Sequence, residues 1–132
     1  MAQALLARQK AVSAYRNLHL ISDSRDSSKR DLIEMLLDGL AASLASARHG
    51  VAICDTAKKS EGILRANRIV AGLAQALDPK VYPALAEELG AVYRYMLRQL
   101  NRAHVGNTGP VLDELLGLAQ ILRNAFRPPQ SF

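Results

Sequence analysis

Cysteine, tryptophan and aromatic residues in general are scarce in this chain of 132 residues. There is one cysteine and no tryptophan, and aromatic residues make up 5%. A single cysteine excludes an internal disulfide and the paired cysteines of redox and zinc motifs, which fits a reducing compartment. The hydrophobic content of 49% comes mostly from alanine and leucine, which favour helices over sheets. The composition therefore predicts a helical protein and argues against an all-β domain.

Long hydrophobic runs are also missing. No stretch approaches the ~18–20 apolar residues of a membrane-spanning helix, and the apolar run before Arg8 is shorter than the ~7–15 residues of a signal peptide. The chain has only 5 prolines and 8 glycines, too few for a disordered or collagen-like protein. At this length we expect one domain. Because the apolar runs are too short for a membrane-spanning helix or a signal peptide, we expect the protein in the cytoplasm, without membrane insertion.

Positive charge exceeds negative charge, with a net charge of +5, but the basic residues are scattered. The best basic row is Arg94, Arg98 and Arg102, spaced four residues apart on a helical pattern. A solvated helix face explains three such charges better than a nucleic-acid site, because no basic cluster flanks them. The alternative hypothesis is a helical regulatory or adaptor module that binds nucleic acid or another protein through this row. Binding to nucleic acid would weaken steeply with salt.

Capping residues and prolines divide the chain into helices. The N-terminal stretch predicts a weakly patterned helix to about Leu20, followed by a polar loop. Ser28 and Asp31 match a capping box, which predicts a long helix from there to about Cys54. The later helices are bounded by a cap at Asp55 or Thr56, the breaker Asp78-Pro79, a start near Pro83, the turn from Gly106 to Pro110, and the stop at Pro128-Pro129.

Apolar residues recur at spacings of three and four along each of the four predicted long helices. Four amphipathic helices with short connections predict an all-α, antiparallel four-helix bundle with an N-terminal arm or short extra helix. We assign residues 1–27 to the arm and its loop, 28–127 to the bundle and 128–132 to a tail, within a single domain. Between Val92 and Leu97 apolar residues cover much of the helix circumference, which indicates either complete burial or a groove for another chain.

Residues for catalysis or metal binding form no recognisable pattern. His19, His49 and His104 have no histidine or cysteine three or four residues away, the spacing that zinc and iron sites usually take from one helix face. Glu34 and Asp38 share a helix face, but the Glu-x-x-His motifs that accompany such carboxylates in di-iron bundles are absent. The lone cysteine has no nearby histidine or basic cluster to activate it. We therefore predict an interaction module, with no enzymatic activity, no metal and no cofactor.

Four segments carry distinctive residues besides their helical periodicity. Asp31–Gly39 reads DLIEMLLDG, with Tyr15 well upstream, and Val92–Asn101 reads VYRYMLRQLN. These segments, with Ala66–Asp78 between them and Leu115–Phe126 after them, resemble in order the FliS family of flagellin export chaperones. The family's motifs are Leu-Ile-x-Met-Leu-(Tyr or Phe)-Asp-Gly and Leu-Tyr-x-Tyr-Met. The chain departs from the family at Leu37 in place of Tyr or Phe, Lys29 in place of Pro, and Phe126 in place of Trp.

The resemblance implies a non-enzymatic chaperone of the cytoplasm. FliS proteins bind the disordered C-terminal region of newly made flagellin, prevent its premature polymerisation and present it to the flagellar export gate. We therefore expect the flagellin C-terminal segment and the export gate as partners, in flagellum biogenesis by type III secretion, and no nucleic acid. Ordering a disordered tail has an entropic cost, so the contact is expected to be long and apolar and to wrap the bundle.

The resemblance also indicates which residues meet flagellin. On the arm, Tyr15 and Leu18 either cover an apolar groove and swing away when flagellin arrives, or pack there permanently. On the third long helix, four residues either line the groove or form ordinary core. These four are Tyr93, Tyr95, Met96 and Leu100.

The residues of the first motif are expected to be structural. Gly39 would permit close helix approach, and Asp38 would bond the arm or a neighbouring helix. Ser28, Leu32 and Met35 complete this structural group.

Replacing Met96 by lysine distinguishes the groove from the core. The substitution would abolish flagellin binding if Met96 lies in the groove, and would unfold the bundle if Met96 is core.

Overall fold

Five helices make up the part of the chain that the computed structural model describes, which is residues 5–10, 27–80, 83–106 and 108–126. Side chains are described in these ranges except at 27–30 and 126. This part of the chain contains no strand, so the prediction of an all-α fold is confirmed. The helices are α1 (residues 5–10), α2 (Ser27–Ala52), α3 (Thr56–Gln75), α4 (Pro83–Val105) and α5 (Gly109–Phe126).

Local signals fix the turn from α2 to α3. Asp55 caps α3, because its Oδ1 atom accepts a hydrogen bond from the backbone N–H of Lys58 at 3.0 Å. Cys54 has a φ of 57°, the left-handed conformation in which many helices end. The backbone N–H of Asp55 donates to the carbonyl oxygen of Gly50 at 2.8 Å. The prediction of a cap at this point is confirmed.

The other boundaries lie close to the predicted ones. α2 begins at Ser27, one residue before the predicted cap Ser28, whose side chain lies outside the described residues. α4 begins at Pro83, as predicted. α3 ends at Gln75, three residues before the predicted breaker. Asp78 then makes a local turn, in which its Oδ1 accepts a hydrogen bond from the N–H of Lys80 at 2.9 Å. Of the predicted N-terminal helix, residues 5–10 are helical and 11–26 lie outside the described residues.

α2 and α3 run antiparallel at close range. Gly62 on α3 lies against Ser43 and Ala47 on α2, and Gly39 on α2 lies against Ile69 on α3. As residue numbers rise on one helix they fall on the other, which defines the antiparallel direction. A Cβ atom at position 62 would lie 2.6 Å from the carbonyl oxygen of Ser43, so only glycine permits this spacing.

Polar contacts show that α5 also runs antiparallel to α2. The Arg48 Nε atom lies 2.9 Å from Oδ1 of Asp113, and the Arg123 Nε atom lies 3.8 Å from Oδ1 of Asp38, so α2 and α5 are antiparallel. α4 packs against α3 and α5, which closes a ring in which α2 and α4 lie on opposite sides. The predicted antiparallel four-helix bundle is therefore the observed arrangement.

Leucine and small side chains fill the centre of the ring. Each of the four long helices contributes fully buried side chains, and Ala7 of α1 belongs to the same cluster. Burial of a leucine-sized side chain contributes about 1.5–3 kcal/mol, so this cluster is the main source of stability. Its largest fully buried aliphatic members are Leu37, Leu40, Leu44, Val70, Leu73, Val92, Met96, Leu100, Leu112, Leu115 and Leu122.

Candidate partner-binding surfaces

The four residues predicted on α4 are buried. Tyr93, Met96 and Leu100 point into the ring of helices, and the last two have no exposed surface. Tyr95 is also buried, on the side of α4 that contacts α5. In this arrangement the four side chains are part of the core, so none of them offers an open groove to another chain. The two arm residues of the same prediction, Tyr15 and Leu18, lie outside the described residues.

A polar network holds the outer end of Tyr95. Its hydroxyl donates a hydrogen bond to Oε1 of Glu114 on α5, and Nε2 of Gln99 donates to the same oxygen at 3.4 Å. Burial, and then the bond to the Glu114 carboxylate, raise the pKa of Tyr95 to about 12, although Arg102 and Arg98 act in the opposite direction. Burial alone raises the pKa of the Tyr93 phenol. Tyr95 is therefore a neutral hydrogen-bond donor that joins α4 to α5.

The start of α2 exposes two large apolar side chains. Leu32 is 50% exposed and Met35 is 61% exposed, whereas Ile33 and Leu36 are half-buried against the core. We call Leu32 and Met35 the α2 patch. The two residues are neighbours on the helix surface because they are three positions apart. Exposed apolar neighbours are a feature of partner-binding surfaces.

Leu32 and Met35 belong to the motif residues that are expected to be structural, but neither side chain lies in the core. The core positions Leu37, Leu40 and Leu44 define one side of α2, and a helix has 3.6 residues per turn. Met35 then falls on the opposite side. The spacing of the apolar residues therefore indicates that Met35 faces away from the core. It does not reveal which sides of α2 are covered by other helices.

Asp38 and Gly39 connect α2 to its neighbours. The Asp38 carboxylate pairs with Arg123 of α5, in agreement with the expectation that it bonds a neighbouring helix. A Cβ atom at Gly39 would lie 3.4 Å from Cδ1 of Ile69, at the limit of ordinary contact with a flexible side chain. The two helices approach more closely at Gly62 and at Gly50, where a Cβ atom would lie 2.5 Å from the backbone nitrogen of Lys59.

Within the described ranges, no helix is both long enough and apolar enough to span a membrane. The same residues include no cluster of three or more histidine, cysteine or acidic side chains that would hold a metal ion. Cys54 is exposed and forms no disulfide. The basic row Arg94, Arg98 and Arg102 lies on the exposed side of α4. The α2 patch and this row are the two surfaces considered below as partner sites.

Comparison with known proteins identifies the family. The sequence model of the family described as Flagellar protein FliS matches residues 11–129 of this chain. The chain belongs to the FliS family. The match includes all four segments on which the resemblance was based, so that prediction is confirmed.

Curated FliS relatives come from several bacteria. Flagellar secretion chaperone FliS of Salmonella typhimurium is 31% identical over 125 residues, which are 92% of this chain and 93% of the relative. Flagellar secretion chaperone FliSB of Pseudomonas aeruginosa is 31% identical over 109 residues, 83% of this chain and 86% of the relative. FliS of Escherichia coli K12 is 27% identical over 121 residues, 89% and 88% of the two chains. The similarity thus extends over nearly the whole of each protein.

Proposed function

We propose that this FliS-family protein is a cytoplasmic, non-enzymatic chaperone that binds the disordered C-terminal region of flagellin before export. Binding prevents premature polymerisation and delivers flagellin to the export apparatus. Three relatives that are similar over most of their length are named flagellar secretion chaperones, and this supports the proposal. The all-α ring offers long helix faces to a helix-prone segment, which is a common mode of peptide recognition.

The α2 patch is the observation that carries the proposal. Leu32 and Met35 lie inside the segment Asp31–Gly39, which has the most distinctive resemblance to the family. Both side chains are at least half exposed. A partner that covered them would remove apolar surface from water, which would stabilise the complex. Methionine also adapts its shape to different apolar partners. We therefore place the first apolar contact with flagellin on this patch.

The buried residues of α4 act indirectly in this proposal. Met96 and Leu100 fix the position of α4 within the ring, and the patch lies on the opposite helix α2. Direct contact between flagellin and these two side chains would require part of the core to open. Tyr15 and Leu18 of the arm keep their proposed role, which is to cover an apolar face until flagellin displaces them.

A double substitution on the patch tests this placement. Leu32→Ser with Met35→Ser removes two exposed apolar side chains and leaves the core intact, so the fold is expected to survive. Isothermal titration with a C-terminal flagellin peptide from the same bacterium is expected to show at least about a tenfold loss of affinity, since central interface residues each contribute more than ~1 kcal/mol.

The matched control replaces Ile53 and Leu64 by serine. These residues are 53% and 49% exposed, so the control removes a similar apolar surface away from the patch. It is expected to keep the affinity of the unmodified protein. No loss in the patch variant would show that flagellin does not bind at the α2 patch, and equal losses in both double variants would show that the contact is not centred on this patch.

A further inference from the structure

The solvent-facing side of α4 carries three arginines in one row. Arg94, Arg98 and Arg102 are all exposed and lie four residues apart. Residues at this spacing form a ridge along a helix, rising about 6 Å from each to the next. The ridge is therefore about 12 Å long and carries three positive charges.

The charges of this ridge have no ion-pair partner in the described part of the chain. There, the ion pairs are Arg48 with Asp113 and Arg123 with Asp38, and both join α2 to α5. No described carboxylate lies within ion-pair distance of the row. Arg48 and Arg123 thus form ion pairs that join α2 to α5, whereas the three arginines of the row on α4 are available to a partner.

Two of the row's guanidinium groups are held in place by neighbouring side chains. The Arg98 guanidinium lies 6.0 Å from the centre of the Tyr95 ring, a cation–π arrangement. Arg102 Nη1 donates a hydrogen bond to Oε1 of Gln99 at 3.3 Å, and Gln99 is itself bonded to Glu114. Groups that are ordered before binding lose less entropy when a partner arrives.

The ends of the row indicate the kind of partner. Glu87 is exposed two turns before Arg94 on the same side of α4, and Val105, 81% exposed, follows Arg102 by three residues. A long polyanion such as nucleic acid would extend past the row and meet Glu87. A short acidic helix that ends in an apolar residue matches both the three charges and Val105.

We propose that Arg94, Arg98 and Arg102 form a docking site for an acidic helix of a protein partner, with carboxylates at every fourth residue. The site is separate from the α2 patch, because α4 and α2 lie on opposite sides of the ring. The first flagellin contact, on the α2 patch, and this docking site therefore do not overlap. The proposal does not depend on flagellin being the client.

Two synthetic helical peptides of identical composition test the proposal. The registered peptide has three glutamates four residues apart and a leucine three residues after the last, and the scrambled peptide clusters its glutamates. We expect the full chain to bind the registered peptide at least about tenfold more tightly than the scrambled one. This affinity is expected to rise as ionic strength falls.

Matched charge reversals distinguish binding at the arginine row from a general effect of net charge. Arg94→Glu with Arg98→Glu is expected to weaken binding of the registered peptide at least about tenfold. Arg65→Glu with Arg68→Glu makes the same charge change at exposed positions of α3 and is expected to leave the affinity within about twofold of the unmodified chain. Arg94→Gln with Arg98→Gln repeats the measurement without adding negative charge, in case the reversal disturbs folding.

Three outcomes would overturn the proposal. One is an equal loss in the α3 and α4 variants, which would indicate net charge alone. Another is equal affinity for the registered and scrambled peptides. The third is tighter binding of a double-stranded DNA oligonucleotide than of the registered peptide, which would assign the row to nucleic acid. Flagellin-peptide titrations of the same variants are expected to be unchanged, so this failure is distinguishable from failure of the chaperone proposal.

Discussion

Two methionines of this chain occupy opposite environments. Met96 is completely buried between the helices, whereas Met35 is 61% exposed at the start of α2. The same flexible side chain therefore fills the core in one place and is available to a partner in the other. This difference gives the first test at the scale of single residues.

Replacing Met96 by alanine is expected to lower the free energy of unfolding by about 2–5 kcal/mol, since the cavity left in the core is only partly refilled. Replacing Met35 by alanine is expected to change it by less than about 0.5 kcal/mol. Urea unfolding followed by circular dichroism measures both. A lysine at position 96 is expected to prevent folding because its charge would be buried without a partner. Similar stabilities for the two alanine variants would contradict the assignment of Met96 to the core.

Burial of Tyr95, together with its hydrogen bond to Glu114, predicts a dependence of stability on alkaline pH. Because the folded state raises the pKa of Tyr95 from 10.0 to about 12, the unfolded chain loses the phenol proton first. The contribution of Tyr95 is therefore complete below pH 10 and is lost as the pH rises to about 12.

The comparison of the unmodified chain with Tyr95→Phe isolates this effect. The variant is expected to show a smaller fall of the unfolding free energy between pH 10 and 12, because it lacks this proton. Tyr93 is present in both proteins and acts as an internal control. Identical pH dependence of the two proteins in urea unfolding would mean that folding does not raise the pKa of Tyr95.

At the scale of helices, the distance between α2 and α3 is set by small residues. A Cβ atom at Gly62 would meet the backbone of α2, whereas one at Gly72 would have no atom within 4 Å. Gly62→Ala is therefore expected to reduce the unfolding free energy by about 1–3 kcal/mol through overpacking. Gly72→Ala is expected to be neutral, or to stabilise α3 by up to about 1 kcal/mol because alanine favours helices. Thermal unfolding of both variants checks this, and a Gly62→Ala protein as stable as Gly72→Ala would contradict the observed spacing.

The helices themselves were predictable because their signals are local. The cap at Asp55, the start at Pro83 and the apolar periodicity each depend on residues a few positions apart, so the sequence alone indicates them. The exposure of Leu32 and Met35 depends on where other helices pack, and periodicity does not contain that information. The same limit applies to the four predicted residues of α4, for which the sequence allowed groove or core. The close approach at Gly62 requires knowing which residues face it across the two helices.

At the scale of the whole molecule, the bundle separates two kinds of surface. The α2 patch is apolar, and the arginine row on α4 is charged and lies on the opposite side of the ring. Apolar burial is largely insensitive to salt, while contacts between exposed charges weaken as salt rises. The two surfaces are therefore expected to respond differently to ionic strength, which allows their partners to be distinguished in solution.

The proposed function depends on binding of the flagellin C-terminal region through an apolar contact. Isothermal titration of the full chain with a flagellin C-terminal peptide of about 40 residues, which would span about 60 Å as a helix, tests it directly at two salt concentrations and two temperatures. We predict one-to-one binding with a negative heat-capacity change and little dependence on salt. Absence of binding across the flagellins of the same bacterium would contradict the proposed function. Binding that is lost at high salt without a heat-capacity change would contradict the apolar mechanism.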